Sequence, residues 1–276
     1  MQLGAYDLDD SRRKEGGQAF VYFGTDRFSG QRVAVKLARP SDWSRRRIRR
    51  EIEVQSKLEH PNILPIIGTD PQKKWYAMRE AQESLDDLGS FQRSSWTRLR
   101  VGLFGVAEGI RYAHAQGYVH RDLSPGNVLI FPDRWVVADW GFVYMEPKTS
   151  PRMTQPLEHF GTPEFMAPEL VADPRKASPP ADVYAIGRLA VWGTGLDATA
   201  DYRPDDSFIR WWQTLIRNTV SYDPSLRWTM DDVVVHLRGT PTLVATNASE
   251  PCPACHSERG LDSSGHCLTC HSLSPY

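Results

Sequence analysis

The spacing of apolar positions changes about a third of the way along the chain. From Gln18 to Lys36 the runs AFVYFGT and QRVAVKLA are rich in β-branched and aromatic residues and are joined by DRFSG. That pattern predicts a hairpin with Gly30 near its turn. A helix follows, capped by Asp42 or Ser44, with Ile48, Ile52 and Leu58 on one face. The segment HPNILPIIG breaks it, and KKWYAMREA reads as another strand. Beyond Leu85 the period is mostly helical. WTRLRVGLFGVAEGIRYAHAQG carries Leu99, Leu103, Val106, Ile110 and His114 at helical spacing and stops at Gly117. A strand-rich first third and a helical remainder predict an α+β molecule of two unequal lobes. From Gly239 the text GTPTLVATNASEPCP reads as a small-residue linker over 239–250.

Composition narrows the picture. The 276 residues suit one large domain or two smaller ones, and 40% are hydrophobic, enough for a packed core. A formal net charge of −1 gives no overall attraction to nucleic acid or anionic membrane. All four cysteines fall in the last 25 residues, unlike a disulfide-stapled secreted domain. The first residues carry no apolar leader, and no apolar run approaches membrane-spanning length. The expected compartment is therefore the cytoplasm, where the sequon Asn247-Ala248-Ser249 has no meaning.

The chemistry concentrates in YVHRDLSPGNVLI, residues 118–130. It resembles the catalytic loop of eukaryotic-type serine/threonine protein kinases, H-R-D-L-x-x-x-N. The resemblance implies that Asp122 accepts the proton of an attacking hydroxyl and that Asn127, five residues on, is a magnesium ligand. Seventeen residues past Asp122, VVADWGF is similar to the family's D-F-G with Trp140 at the phenylalanine, so Asp139 would hold the bridging magnesium. VAVK resembles the strand-lysine motif and places Lys36 on the α- and β-phosphates. The resemblance implies Glu51 as its acidic partner on the next helix, nine residues before His60, the family's usual distance to H-P-N; Glu53 would face about 200° away. In KEGGQAFV, residues 14–21, Gly16 and Gly17 fit the phosphate-covering loop, while Lys14 and Ala19 stand where the family has glycines. The Lys14 charge either helps hold nucleotide or is solvated; the solvated state is the expectation.

The same frame implies the rest of the site. Adenine would bond to the Arg79 carbonyl and the Ala81 N–H behind Met78, between Val21, Ala34 and Leu129. FGTPEFMAPEL resembles the end of an activation segment, with Glu169 meeting Arg227 of DPSLRW in a buried ion pair. ADVYAIG resembles the central helix of the large lobe, with Asp182 bonded to the catalytic-loop backbone. His120 and Gln55 fall in the internal hydrophobic spine, where Gln55 is expected to bond to the Trp140 indole. Ser124 stands where serine/threonine kinases have a lysine that touches the transferred phosphate, whereas Thr162 fits that class and would order Asp122. The run SRRRIRR reads as a solvated helix face, except that Arg47, one turn before Glu51, is placed to read an activation-loop phosphate, as Arg121 is. Candidate acceptors are Thr149, Ser150 and Thr154.

The resemblance runs from about residue 6 to residue 238. It divides the chain into a kinase domain over 1–238 (small lobe about 1–79, large lobe about 82–238) and a tail over 251–276. The implied activity is transfer of the ATP γ-phosphate to serine or threonine of protein substrates, with magnesium or alternatively manganese. A catalytically weak pseudokinase used as a scaffold and a small-molecule phosphotransferase are the competing functions. In the tail, Cys252, Cys255, Cys267 and Cys270 form two C-x-x-C pairs, and His256 and His271 follow them. Structural zinc, covalent haem and disulfides all fit those residues alone. A cytoplasmic compartment favours four thiolates on one zinc in a module resembling a zinc ribbon, with a protein as its contact rather than nucleic acid.

Overall fold

The computed structural model describes residues 1–17, 19–145, 162–197 and 206–239. Its first third is a six-stranded antiparallel sheet. The strands are β1 (Gln2–Leu3), β2 (Tyr6–Glu15), β3 (Ala19–Asp26), β4 (Arg32–Ala38), β5 (Gly68–Thr69) and β6 (Trp75–Arg79), in the order β1-β2-β3-β4-β6-β5. β3 and β4 form the expected hairpin. Its turn is closed by the Asp26 carboxylate, which accepts from the N–H groups of Phe28 and Ser29, and Gly30 supplies a φ of 70°. The hairpin register sets Val21 opposite Lys36 and Phe23 opposite Ala34, so Val21 and the lysine lie side by side on the sheet.

β2 is a strand that periodicity does not reveal. In YDLDDSRRKE only Tyr6 and Leu8 are buried, and the register slips between Asp9 and Arg13. Pairing with β3 therefore holds the strand, not an apolar stripe of its own.

Helix α1 (Asp42–Gln55) crosses behind the sheet. Its cap is Ser41, not Asp42 or Ser44. The Ser41 hydroxyl accepts from the Ser44 N–H at 3.2 Å, and Asp42 sits in the first turn, where its charge suits the helix dipole. Ile48 and Ile52 bury against Leu64, Tyr76 and Met78, but the helix ends at Gln55, before Leu58.

Two short elements, β7 (Glu83–Ser84) and α2 (Leu85–Leu88), begin the larger lobe, where Ser84 and Asp87 form a capping box. Helix α3 (Trp96–Ala115) is its axis. Leu99, Leu103, Val106 and Ile110 are fully buried, as their spacing implies, and Gly117 turns the chain with φ 77°. Small strands follow: β8 (Tyr118–Val119), β9 (Val128–Ile130), β10 (Trp135–Val137) and β11 (Tyr144–Met145). β9 pairs with β10 and β7, and β8 with β11. Helices α4 (Pro168–Ala172), α5 (Pro179–Thr194), α6 (Ser207–Thr219) and α7 (Met230–Arg238) complete the lobe. The apolar faces of α5, α6 and α7 join α3 in one core through Ile186, Leu189, Trp212, Leu215, Val233 and Leu237, while Leu170 of α4 packs in a smaller cluster with Ala167, Ala177 and Ala181. Among the described residues no helix is long and apolar enough to cross a membrane.

Candidate active site

Between the sheet and the helical lobe lies a cleft of about 880 Å³. Gly16, Gly17, Val21, Ala34, Lys36, Met78, Arg79, Ala81, Asn127, Leu129 and Asp139 all line it, as the sequence implies. Its roof is β2–β4, its back is Met78, and its floor is β9. Gln82 donates to the Ile130 carbonyl, which fixes the strand-to-strand crossing. No described residue accepts the Ala81 N–H, so that donor remains for a ligand at the cleft edge.

At the inner end, Lys36 on β4 meets Glu51 on α1. Its Nζ lies 2.9 Å from both carboxylate oxygens and 3.1 Å from Asp139. Glu51 is fully buried, and it also accepts from the Tyr76 hydroxyl at 2.8 Å. Periodicity marks Tyr76 only as an apolar strand position, so its role as second donor to Glu51 was not legible. Burial lowers the Lys36 pKa, but the Asp139 and Glu51 carboxylates more than offset it and hold the lysine charged. Glu53 faces away, in an exposed pair with Lys73.

The catalytic loop is held from beneath by α5. Asp182 accepts from the N–H groups of His120 (2.8 Å) and Arg121 (2.9 Å), as expected, and also contacts His114 Nε2 at 2.8 Å. That histidine reads from the sequence as one more position on the α3 face. The loop needs this clamp because Arg121 carries a φ of 72°, which a non-glycine residue adopts only when its surroundings impose it. Arg121 Nε donates to the Phe142 carbonyl at 2.7 Å, and its guanidinium also contacts the Pro174 carbonyl. Burial, and after it the neighbouring Arg50 charge, pushes its pKa down to about 10.

Asp122 follows. Asn127 donates to its backbone carbonyl (2.7 Å) and to Oδ2 (3.1 Å), leaving Oδ1 buried without a partner among the described residues. Burial first, and the Asp139 charge second, raise its pKa to about 7. Thr162 makes no hydrogen bond to it; Asn127 and the His120 ring, which accepts from the Asp122 N–H, do the ordering instead. Asp139 stands in the left-handed region at φ 59°, with its carboxylate turned back onto the Gly141 N–H. Lys36 and Arg47 hold its pKa well below the usual carboxylate range despite burial.

Two expectations are corrected and two gain detail. Gln55 is buried, as the spine frame requires, but its Nε2 donates to the Leu64 carbonyl at 2.7 Å. The carbonyl of that irregular segment takes the amide first. Among the described residues Gln55 Oε1 and Trp140 Nε1 both lack partners, and the Trp140 ring instead meets His120 edge-on at 4.7 Å. Lys14 is largely exposed, in line with the solvated expectation, and also reaches across the cleft mouth to both oxygens of Asp87 at 2.8 and 3.1 Å. Arg47 stands apart from the solvated face, as expected, while the loop phosphate it is expected to read lies outside the described residues. Its side chain is 9% exposed and turned onto Asp139. Thr162 is the other correction, as described above.

The Glu169–Arg227 ion pair is formed with two parallel contacts of 2.7 and 2.8 Å, and Arg227 also donates to the Pro180 and Ser221 carbonyls. Thr149, Ser150, Thr154 and the tail cysteines Cys252, Cys255, Cys267 and Cys270 lie outside the described residues, as do the linker beyond Gly239 and the tail histidines.

The donor set fits nucleotide and magnesium. Asp139 and Asn127 offer the hard oxygens that magnesium takes, Lys36 a charge for phosphates, and the buried free oxygen of Asp122 an acceptor for a hydroxyl proton. Comparison with known proteins agrees. Residues 15–237 match the family model described as protein kinase domain. The serine/threonine-protein kinase PknD of Chlamydia pneumoniae is 26% identical over 86% of this chain and 32% of its own length. AfsK of Streptomyces coelicolor, also a serine/threonine-protein kinase, is 30% identical over 64% of this chain and 23% of its own. The human NUAK family SNF1-like kinase 1 is 29% identical over 84% and 38%. The chain thus spans between about a quarter and two fifths of the length of these relatives.

Proposed function

This chain belongs to the protein kinase domain family, and on that premise we propose that it transfers the γ-phosphoryl group of ATP to serine and threonine hydroxyls of protein substrates. One observation carries the reading: Asp122 has a buried oxygen with no partner, in a site that also assembles Lys36, Asn127 and Asp139. The substrate hydroxyl oxygen attacks the γ-phosphorus, its proton passes to Asp122 Oδ1, and the bond from phosphorus to the ADP oxygen breaks. Lys36, kept charged by Glu51, orients the phosphates, and Asn127 fixes the base. Magnesium, which Asp139 and Asn127 would hold, supplies neutralisation of phosphate charge. The names of the relatives PknD and AfsK support serine/threonine specificity.

A second reading, nucleotide binding without transfer, rests on Ser124, which puts no cation where the family has lysine. The experiment is incubation with labelled ATP and a generic protein substrate, wild type beside Asp122→Asn. Removing the base should cost at least about a hundredfold in turnover. Wild type that binds ATP yet labels nothing would replace the first reading with the second.

Regulation through Thr149, Ser150 or Thr154 belongs to the same proposal, as does a zinc held by the four tail cysteines, work in the cytoplasm and a protein contact for the tail. A reducing compartment suits thiolate ligands. Metal analysis of the purified chain should find one zinc, and its absence would remove that part.

A further inference from the structure

Arg47 is the side chain that the proposed chemistry does not yet use. It comes from α1, one turn before Glu51, and enters the catalytic centre from the small lobe. Its terminal nitrogen lies 3.0 Å from Asp139 Oδ1 and 3.8 Å from Asp122 Oδ2. The guanidinium carbon lies over Phe142, 3.7 Å from the ring centroid. It packs so closely on Gly141 that a Cβ there would stand 2.5 Å from Arg47 Nε. That Nε is buried and has no partner among the described residues. Arg47 is therefore a held, desolvated cation between the two carboxylates, with donor capacity to spare.

The catalytic loop lacks a cation at this point. Position 124 is serine, and Arg121 turns away to the Phe142 and Pro174 carbonyls. Lys36 reaches Asp139 and Glu51. In phosphoryl transfer, negative charge spreads over the equatorial oxygens of the moving group, and a preorganised cation aimed there lowers the barrier. A guanidinium suits this better than an ammonium, because its planar fork can serve two oxygens at once.

We propose that Arg47 is a catalytic residue: its guanidinium contacts the phosphoryl group during transfer and supplies from α1 the positive charge that Ser124 leaves out of the catalytic loop. The proposal rests on the kinase reading above. With nucleotide and magnesium bound, Asp139 exchanges its bond to Arg47 for the metal. The guanidinium, stacked on Phe142 and Gly141, stays beside Asp122, where the transferring group must pass.

The test compares the full chain as wild type, Arg47→Ala, Arg47→Gln, Ser124→Lys and the double variant Arg47→Ala/Ser124→Lys, with thermal melting to confirm folding. Arg47→Gln keeps most of the packing volume if the alanine variant unfolds. The first readout needs no turnover: affinities for ATP and ADP at fixed magnesium. Arg47→Ala and Arg47→Gln should lose about tenfold in ATP affinity and much less for ADP, because a charge-assisted contact to the terminal phosphate disappears. The second readout is kinetic. Turnover should fall about a hundredfold in Arg47→Ala, the size of losing one transition-state donor, with little change in KM for the protein. Ser124→Lys should then recover at least about tenfold in the Arg47→Ala background, and more there than it adds to wild type, since either cation serves one charge.

Equal losses of ATP and ADP affinity would make Arg47 structural and overturn the proposal. Faster turnover or a lower magnesium requirement in Arg47→Ala would make it a plug on the metal site. An equal effect of Ser124→Lys in both backgrounds would also overturn it. Wild type that binds neither nucleotide would overturn the kinase reading along with this one. Wild type that binds without turning over leaves the ATP/ADP difference to decide the Arg47 contact alone.

Discussion

The carboxyl group of Asp122 has a pKa raised to about 7 in the fold, against 3.8 for an ordinary aspartate, first by burial and then by Asp139. Two consequences follow with opposite signs. A base must be ionised, so kcat/KM should fall on the acid side of about pH 7, by about tenfold per unit, and level off above it. Stability runs the other way. Between 3.8 and about 7 the folded state binds more protons at this site than the unfolded state. Asp122 therefore removes stability as pH rises through that window. Thermal melts of wild type and Asp122→Asn across pH 4–8 should converge at the acid end, with the variant the more stable at the neutral end; parallel curves would refute the raised pKa. Lys36→Ala should abolish most turnover while the protein stays folded. It should also lower the melting temperature, because Glu51 then stays buried with the Tyr76 hydroxyl as its remaining side-chain donor among the described residues. Near-normal turnover in that variant would move the phosphate site elsewhere. Most of this centre could be read from motif spacing: Lys36, Glu51, Asp122, Asn127 and Asp139 stand together as expected. Tyr76, His114 and the inward turn of Arg47 could not, because each is defined by what it meets across the fold, not by its neighbours in the chain.

At the scale of elements, the predictable parts are those whose own periodicity carries them. Helix α3 is legible because Leu99, Leu103, Val106 and Ile110 repeat at helical spacing and every one is buried. Leu103→Ala should cost about 2–5 kcal/mol, the usual range for emptying a core leucine site, read as a lower denaturation midpoint with an unchanged m-value. β2 was illegible because eight of its ten residues are exposed or charged and only the β3 ladder holds it. The cap of α1 was missed by one residue, since Ser41, Asp42 and Ser44 are all competent cap types and only the backbone turn selects among them. Between elements, the Glu169–Arg227 pair ties α4 to the segment before α7, with Arg227 fully buried at its side chain. Glu169→Ala strands that charge, and a loss of about 3–5 kcal/mol is expected, whereas surface pairs such as Lys73–Glu53 should cost little. A Glu169→Ala melt within a degree of wild type would contradict this.

For the molecule as a whole, the core is closed by α7, whose Leu237 is fully buried and whose last turn is fastened by Arg100 to the Leu237 carbonyl at 2.7 Å. A chain ending after Gly239 should therefore fold and bind nucleotide, and failure to fold would make the tail part of the large lobe. The bridge from Lys14 to Asp87 has a different kind of consequence. It joins a strand of the roof to helix α2 across the mouth of the described cleft, which both residues line. Both partners are largely exposed, at 61% and 43%, so the bridge adds at most about 1 kcal/mol to anything at equilibrium. Its effect belongs to traffic: a weak clasp across the mouth is expected to slow entry and departure alike and to leave their ratio nearly untouched. Added salt, which screens exposed pairs, should then hasten ADP release and ATP capture together. Lys14→Ala should make the exchange rate indifferent to that part of the ionic strength, as stopped-flow traces of a fluorescent nucleotide would record.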